Sequence, residues 1–333
     1  MKDIAQELGI SAITVSKVLR NHPDISEETR QRVLKRVAEL DYRPNEVARG
    51  LATGRSYLVG LVVPGLLHSF FSEVATGLSN VIGAKGYSLI VASSEEKRES
   101  EQEEIRKLLA RRLDALVIAS SGSGVELFEK LDKQPQPYIL IDRNIPGLDA
   151  NFVGIDDEKA GLIATKHLFE IGRRRIAHIA GRINSTGQGR LEGYKMALSE
   201  IGLPYQEELV VCGTFVDTRV AEQGYEAMQS LLNLENRPDA VFCHNDPLAI
   251  GAMSAVLDAG LRIPEDVAII GCGNLYFNNY LRVALSSIDQ HAARLGECAG
   301  ELILDILHAK TKPPARTIIL EPNLVVRKST KCD

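Results

Sequence analysis

Residues 2–21 read KDIAQELGISAITVSKVLRN. Ile4, Ala5 and Leu8 fall at helical spacing, Gly9 breaks the pattern, and a second run from Ser11 places Val15, Val18 and Leu19 on one face. The spacing predicts two short helices around a glycine turn. A third helix follows Ile25, with Ser26 suited to cap it and Glu27 and Glu28 in a first turn where the helix dipole favours acids. Its apolar stripe is Val33, Leu34, Val37 and Leu40. Periodicity alone fits any small three-helix bundle.

Next comes a segment with little to bury. Pro44 disfavours α conformation at Arg43 and is expected to end the third helix there, while Asn45 can cap a short new one that contains Gly50. One or two turns are too short to be stable in water on their own, so order at 45–56 has to come from a partner surface.

From Tyr57 the texture changes. Near-continuous apolar runs at 58–64, 87–92, 115–119 and 138–142 alternate with helix-length segments, and the pattern repeats at 175–181, 209–211, 240–243 and 267–271. Strands of this kind are buried on both faces of a parallel sheet. An α/β class follows: an all-helical head, then two doubly wound lobes with a crevice at the strand C-terminal ends as the default ligand site. The expected division is 1–44 for the head, 45–56 for the hinge and 57–333 for the two-lobed core.

Composition agrees with a folded, water-exposed chain. At 333 residues with 44% apolar and 25% charged residues, two or three folded units are expected. No run approaches the ~18 apolar residues of a membrane span, and Lys2 and Asp3 follow Met1 where a signal peptide would be apolar, so the protein is expected in the cytoplasm, away from membranes. Five widely spaced cysteines without a Cys-x-x-Cys pair argue against a disulfide framework or a zinc site, and no metal or cofactor is expected. Residues 1–56 hold ten Lys/Arg against eight Asp/Glu, although the whole chain carries net charge −5. The basic excess therefore sits on the head, as suits a polyanion partner. The charged run 93–104 and the arginines at 173–175 are expected to be solvated surface.

The words Lys2-Asp3-Ile4-Ala5, Gly9-Ile10-Ser11 and Thr14-Val15-Ser16-Lys17-Val18-Leu19-Arg20-Asn21 closely resemble the head of the lactose-repressor family. The core is similar to that of the lactose and purine repressors and of periplasmic sugar-binding proteins along its whole length. Its most diagnostic words are Gly172-Arg173-Arg174-Arg175-Ile176, Gly189-Arg190-Leu191-Glu192-Gly193-Tyr194, 238–246 and 285–290. The resemblance implies a helix-turn-helix whose second helix enters the major groove of double-stranded DNA. Ser11, Thr14 and Ser16 would meet phosphates; Ala12 and Ile13 would meet thymine methyls and Lys17 guanine. Most relatives carry arginine at Lys17, so the guanine preference is expected to be looser. The threonine cap usual before the Lys-Asp pair is missing, and helix one is expected to fray there. Asn21 and, in the hinge, Asn45, Ala48, Arg49 and Leu51 complete the implied DNA set, Leu51 as an apolar wedge in the minor groove.

For a small effector, the resemblance implies Asp142, Arg190 at a helix start, Phe215, Asn245 and, across the crevice, Phe70 and Phe71. Carboxylate, amide, guanidinium and aromatic faces together suit a polyhydroxylated ring, so a carbohydrate-like molecule is expected. One departure is visible. Where sugar- and nucleobase-binding relatives show Gly-Tyr-Asp-Asn, this chain reads Gly271-Cys272-Gly273-Asn274, and Asn274 or Tyr276 is expected to replace the missing aspartate. One head reads only a few base pairs, so a homodimer on a pseudo-palindromic operator is expected. No apolar heptad run follows Val326, so no further coiled-coil assembly is expected. The function implied is a transcriptional repressor controlled by its effector.

Two rival classes share parts of this pattern. A periplasmic binding protein has the core but a signal peptide in place of the head. A ligand-binding α/β protein or a sugar-processing enzyme with an accessory helical head is the other alternative. Against catalysis, His178, His244 and His291 are scattered, and no nucleophile elbow, P-loop or metal-spaced cluster accompanies them.

Overall fold

The computed structural model describes residues 1–19, 22–42, 50, 54–122, 124–212 and 219–331. It divides into two compact units, Met1–Ser56 and Tyr57–Asp333.

In the first unit, helices α1 (Lys2–Leu8), α2 (Ala12–Leu19) and α3 (Glu27–Glu39) enclose a core of Ile4, Ala5, Val15, Val18 and Val33. Gly9 turns the chain at φ 66° and donates its N–H back to the end of α1, a left-handed cap that glycine adopts without strain. Ser11 Oγ accepts from Thr14 N at 3.0 Å and Ser26 Oγ from Thr29 N at 3.4 Å, satisfying first-turn amides of α2 and α3. Helix α3 stops at Glu39, earlier than Pro44 alone implies. Asp41 takes φ 42°, its N–H reaching Ala38 O at 3.2 Å and Tyr42 N–H reaching Val37 O at 2.9 Å, so the chain closes the helix with its own backbone. Leu34 and Leu40 lie outside the stripe, exposed, because Val33 and Val37 fill the space against α1 and α2.

The second unit holds, among the described residues, two six-stranded sheets. The first runs β2 (Ser88–Ser93), β1 (Leu58–Val63), β3 (Ala115–Ile118), β4 (Tyr138–Ile141), β5 (Phe152–Ile155), β11 (Thr317–Leu320), all parallel. The second runs β7 (Val210–Cys212), β6 (Ile176–Ala180), β8 (Ala240–Cys243), β9 (Ala268–Cys272), β10 (Ser286–Asp289), β12 (Asn323–Val325), with only the β10–β12 pair antiparallel. Strands β3, β4, β6, β8 and β9 are buried throughout, as apolar runs sandwiched between helix layers must be. The layers are α4 (Ser69–Gly83), α5 (Arg98–Ala110) and α6 (Val125–Leu131) in the first lobe, and α7 (Asp157–Glu170), α8 (Ser185–Glu200), α9 (Val220–Leu232) and α10 (Asp246–Asp258) in the second.

The chain crosses between lobes three times: from β5 into α7 at Asp156, from β10 into α11 (Ala292–His308) at Gln290 and His291, and from β11 into β12 at Glu321 and Pro322. Helix α11 therefore follows a second-lobe strand yet packs on α4 and the first sheet. The crossings are stitched to one another. Lys159 pairs with Glu321, and Asn323 Nδ2 meets His291 Nε2 at 3.0 Å. Closing motion of the lobes has to pass through these three strands of chain.

Candidate functional site

Two places on the molecule carry chemistry that packing does not require. The first is the outer face of α2. Val15 and Val18 turn inward, and the same periodicity turns Ala12 and Ile13 out, Ile13 to 69% exposure. Lys17 stands one turn beyond Ile13, its ammonium 3.5 Å from Asp24. Ser11 Oγ and Thr14 Oγ1 bond each other at 2.9 Å at the start of the helix, and Ser16 is half-buried. Asn21, Asn45, Ala48, Arg49 and Leu51 lie outside the described residues.

The second place is the cleft between the lobes, a cavity of about 50 Å³ at the C-terminal ends of the strands. Doubly wound topology sends each strand into a loop and then a helix N-terminus here, so short polar loops from both lobes converge. From the first lobe come His68, Phe70 and Phe71 at the start of α4, Glu96 after β2, and Asp142 and Arg143 after β4. From the second come Gly181, Arg182, Asn184 and Thr186 around the start of α8, Arg190 within it, Val220, and His244 and Asn245 after β8; Gln290 comes from the crossing.

Arg190 organises the floor. It is 3% exposed, and its guanidinium donates to Asp157 Oδ1 at 2.9 Å, the His244 carbonyl at 2.6 Å and Gln290 Oε1 at 2.8 Å. Asp157 begins α7 just after one crossing and Gln290 lies in another, so this side chain ties two crossings to the second lobe. Arg190 is also the sixth residue of α8, since Asn184 caps the helix by accepting from Gly187 N at 2.8 Å. Arg190 is therefore not at the helix start, and the glycines 187 and 189 ahead of it, like Gly193 beyond it, sit inside the helix. A Cβ at Gly193 would overlap the Glu158 carbonyl and one at Gly161 the Arg190 carbonyl, so glycine is what lets α7 and α8 touch backbone to backbone.

The roof is an ion pair. Arg143 donates to Glu96 Oε1 at 2.7 Å and Oε2 at 3.0 Å, bidentate geometry, and to the Ser120 carbonyl at 3.1 Å. Its Nε lies 3.7 Å from Asp142 Oδ2. Arg182 approaches Glu96 from the second lobe at 3.8 Å, and Asn144 N–H reaches Ser185 Oγ at 3.1 Å. The lobes therefore already touch across the mouth. Burial pushes the Asp142 and Asp157 carboxyls up, Asp157 to about 7, against the opposing pull of the guanidiniums beside them. Burial, aided by Arg143 and Arg190, pushes His68 down to about 4, and burial with Arg190 holds His244 well below its ordinary value. Both imidazoles are neutral near pH 7, and their buried Nδ1 atoms have no hydrogen-bond partner among the described residues.

The structure thus brings together Phe70, Phe71, Asp142, Arg190 and Asn245 in one wall, although Asn245 Oδ1 already accepts from Leu248 N at 2.9 Å as the cap of α10. Asn274 is elsewhere. Its Nδ2 donates to Asp289 at 3.0 Å and its Oδ1 accepts from Arg327 at 2.7 Å, so it braces β10 and the last strand and does not replace an aspartate in the cleft. Tyr276 is 69% exposed and does not line the cleft. Phe215 lies outside the described residues. Sequence reasoning missed Glu96, Arg143, Arg182, His68, His244 and Gln290. The run 93–104 is not a uniformly solvated surface: Glu96 is buried in the pair with Arg143, and Glu101 is fully buried, accepting from Ser120 Oγ at 3.0 Å and from Ser121 N. Arg173 and Arg175 likewise brace loops, donating to the carbonyls of Pro264 and Asn236 at 2.6 Å each.

Comparison with known proteins agrees with this anatomy. Residues 1–45 match the bacterial regulatory proteins of the lacI family, and residues 165–330 the periplasmic binding protein-like domain. Over 334 residues the chain is 34% identical to the HTH-type transcriptional repressor PurR of Vibrio vulnificus, covering 99% of this chain and 98% of the relative. A solved complex of the transcriptional regulator CelR with cellobiose superposes with a TM-score of 0.74 at 30% identity over 98% of each chain. The lac repressor dimer bound to operator and the anti-inducer ONPF superposes at 0.86, with 25% identity over 99% of this chain and 98% of that one. These relatives are transcription regulators, and the enzyme alternative falls with that. The chain belongs to the lacI family of bacterial regulatory proteins and is a ligand-controlled, DNA-binding transcription regulator.

Proposed function

We propose that the chain acts in the cytoplasm as a homodimeric repressor on a pseudo-palindromic operator, with a carbohydrate-like effector held in the interlobe cleft. The observation that carries the DNA half is Ile13, 69% exposed beside Ala12 on the first turn of the second helix. Apolar surface there is left largely open to solvent, and it is the place from which a helix-turn-helix reads thymine methyls. Lys17 leaves Asp24 to donate to a guanine, Ser11, Thr14 and Ser16 take phosphates, and Asn21 with the hinge residues Asn45, Ala48, Arg49 and Leu51 extends the contact into the minor groove. The head is 1–44, the hinge 45–56 and the core 57–333.

In the cleft, Asp142, Arg190 and Asn245 offer groups that pair with hydroxyls, Phe70, Phe71 and Phe215 an apolar cover, and the cellobiose complex of CelR favours a sugar. Arg190 supplies the coupling. Because it holds Asp157 and Gln290 at two crossings, an effector that draws on its remaining N–H groups biases the angle between lobes. In a dimer that angle sets the spacing of the hinges.

Selection of binding sites from random duplexes by the full chain, with sedimentation of the complex, tests this reading. It predicts inverted half-sites and two chains per duplex. A single half-site bound by one chain would refute it.

A further inference from the structure

Among the charged groups of the cleft, one cation has little to hold. Glu96 and Asp142 share Arg143, and Asp157 has Arg190. Arg182 remains. Its side chain is a third exposed at the rim, and its nearest carboxylate among the described residues is Glu96 at 3.8 Å, already engaged by Arg143. The backbone around it is also electropositive. Asn184 Oδ1 takes the Gly187 N–H and the Thr186 hydroxyl, which leaves the first-turn N–H groups of Ser185 and Thr186 without a capping side chain. Helices α4, α9 and α10 begin at the same cavity, at His68, Val220 and Asn245. Four helix N-termini around one small space favour a negative charge within it.

An independent observation points to a ligand in the same space. His68 Nδ1 and His244 Nδ1 are buried, line the cavity from opposite lobes and find no hydrogen-bond partner among the described residues. Buried polar atoms are normally paired, and two such atoms facing one cavity mark where ligand oxygens belong. A neutral imidazole can donate to a hydroxyl or accept from one.

Resting on the reading of the cleft as the effector site, we infer that the effector is a carboxylated sugar, an aldonic or uronic acid, whose carboxylate sits on Arg182 and the start of α8 and whose hydroxyls meet His68 and His244. Three guanidiniums and three carboxylates cancel overall, so a single negative charge is held only locally, by the weakly engaged Arg182 and the helix N-termini beside it. A phosphate dianion brings more than the balance holds.

Calorimetry on the full chain tests this with gluconate, glucuronate and galacturonate, each against its neutral parent glucose or galactose, and with glucose 6-phosphate. One acid is expected to bind about tenfold or more tightly than its parent and than the phosphate ester, the difference one charge-assisted bidentate contact makes. Arg182→Gln removes that advantage, weakening the acid several-fold more than the parent. A parent or phosphate ester that binds as well as every acid, acids that fail to bind, or an Arg182→Gln variant that weakens acid and parent alike overturns the inference. A crystal structure of the complex separates it from the reading beneath it. Acid bound outside the cleft overturns both; acid in the cleft with its carboxylate away from Arg182 overturns only the inference.

Discussion

Replacing Arg190 by methionine keeps the length and apolar stem of the side chain and removes a guanidinium that three partners use. The Asp157 carboxyl, the His244 carbonyl and the Gln290 amide oxygen then lose a donor at a largely buried place on the cleft floor. Breaking a buried pair by deleting one partner costs about 3–5 kcal/mol, which for a unit of this size lowers Tm on the order of 10 °C. The loss depends on pH in a defined direction. Burial already raises the Asp157 carboxyl to about 7, against 3.8 for an unperturbed aspartate, and without Arg190 it rises further. A carboxyl raised in the folded state contributes stability that is present at low pH and disappears as pH climbs through the folded value. The variant therefore falls further below the wild type at pH 8 than at pH 5. Adding Asp157→Asn removes the group that titrates, so the double variant shows a flat deficit and a coupling of about 2 kcal/mol or more in the cycle. Urea unfolding of the four proteins at the two pH values measures all of this. A deficit below about 1 kcal/mol, or one that shrinks as pH rises, refutes the role given to Arg190.

Gly193→Ala places a methyl against the Glu158 carbonyl and forces α7 and α8 apart, with an expected loss on the order of 2–3 kcal/mol by denaturant titration; a neutral change contradicts the backbone contact. His178 lies between the rings of Phe242 at 4.7 Å and Tyr194 at 5.3 Å, and burial holds it near 4 against 6.5 in the open chain. The unfolded chain binds that proton first, so the stability His178 contributes is present above pH 6.5 and is lost as pH falls to 4, by about 3 kcal/mol. His178→Phe should flatten that acid limb, and an unchanged limb would show that another group causes it. On DNA, Lys17→Ala should relax the preference at one base pair in each half-site by about 1–3 kcal/mol, whereas Leu51→Ala should weaken operator binding and bending and spare random DNA. Equal losses on operator and random duplexes for both variants contradict that division, and gel-shift titrations at fixed salt decide it.

The parts of the fold visible in the sequence are those whose burial is local. Strands β1, β3, β4, β6, β8 and β9 announce themselves because both faces are covered and nearly every residue is apolar, and the edge strand β2, though partly exposed, still carries the apolar run Leu89–Ala92 between its two serines. Strand β5 reads Phe-Val-Gly-Ile, its apolar run interrupted by glycine, β10 reads Ser-Ser-Ile-Asp with Ser286 bonded to the C-terminal segment and Ser287 to Asp246, and β11 is a half-exposed edge. The start of α8 was hidden for a different reason. Glycine weakens a helix on its own account, and only the close approach of α7 at Gly189 and Gly193, and of the Arg182 carbonyl at Gly187, explains them there. In the cleft, Asp142, Arg190 and Asn245 were legible through family words, since the residues around them recur as short motifs. Glu96 and Arg143 lie 47 positions apart, and nothing near either one marks the other as its partner. His68 and His244 were equally silent, because an unpaired imidazole nitrogen is a property of the assembled wall. Asn274 followed the motif in position but not in direction, its amide drawn to Asp289 and Arg327.

Ligand control of DNA binding requires cleft and head to be coupled. Fluorescence anisotropy of a labelled operator, titrated with the full chain at fixed salt with and without a saturating cleft ligand found by calorimetry, measures that coupling directly. Allosteric coupling of about 1–3 kcal/mol predicts an operator Kd that changes roughly 5- to 150-fold with ligand and a ligand affinity that changes by the same factor with operator. An operator Kd that stays the same when the cleft is filled would contradict the account.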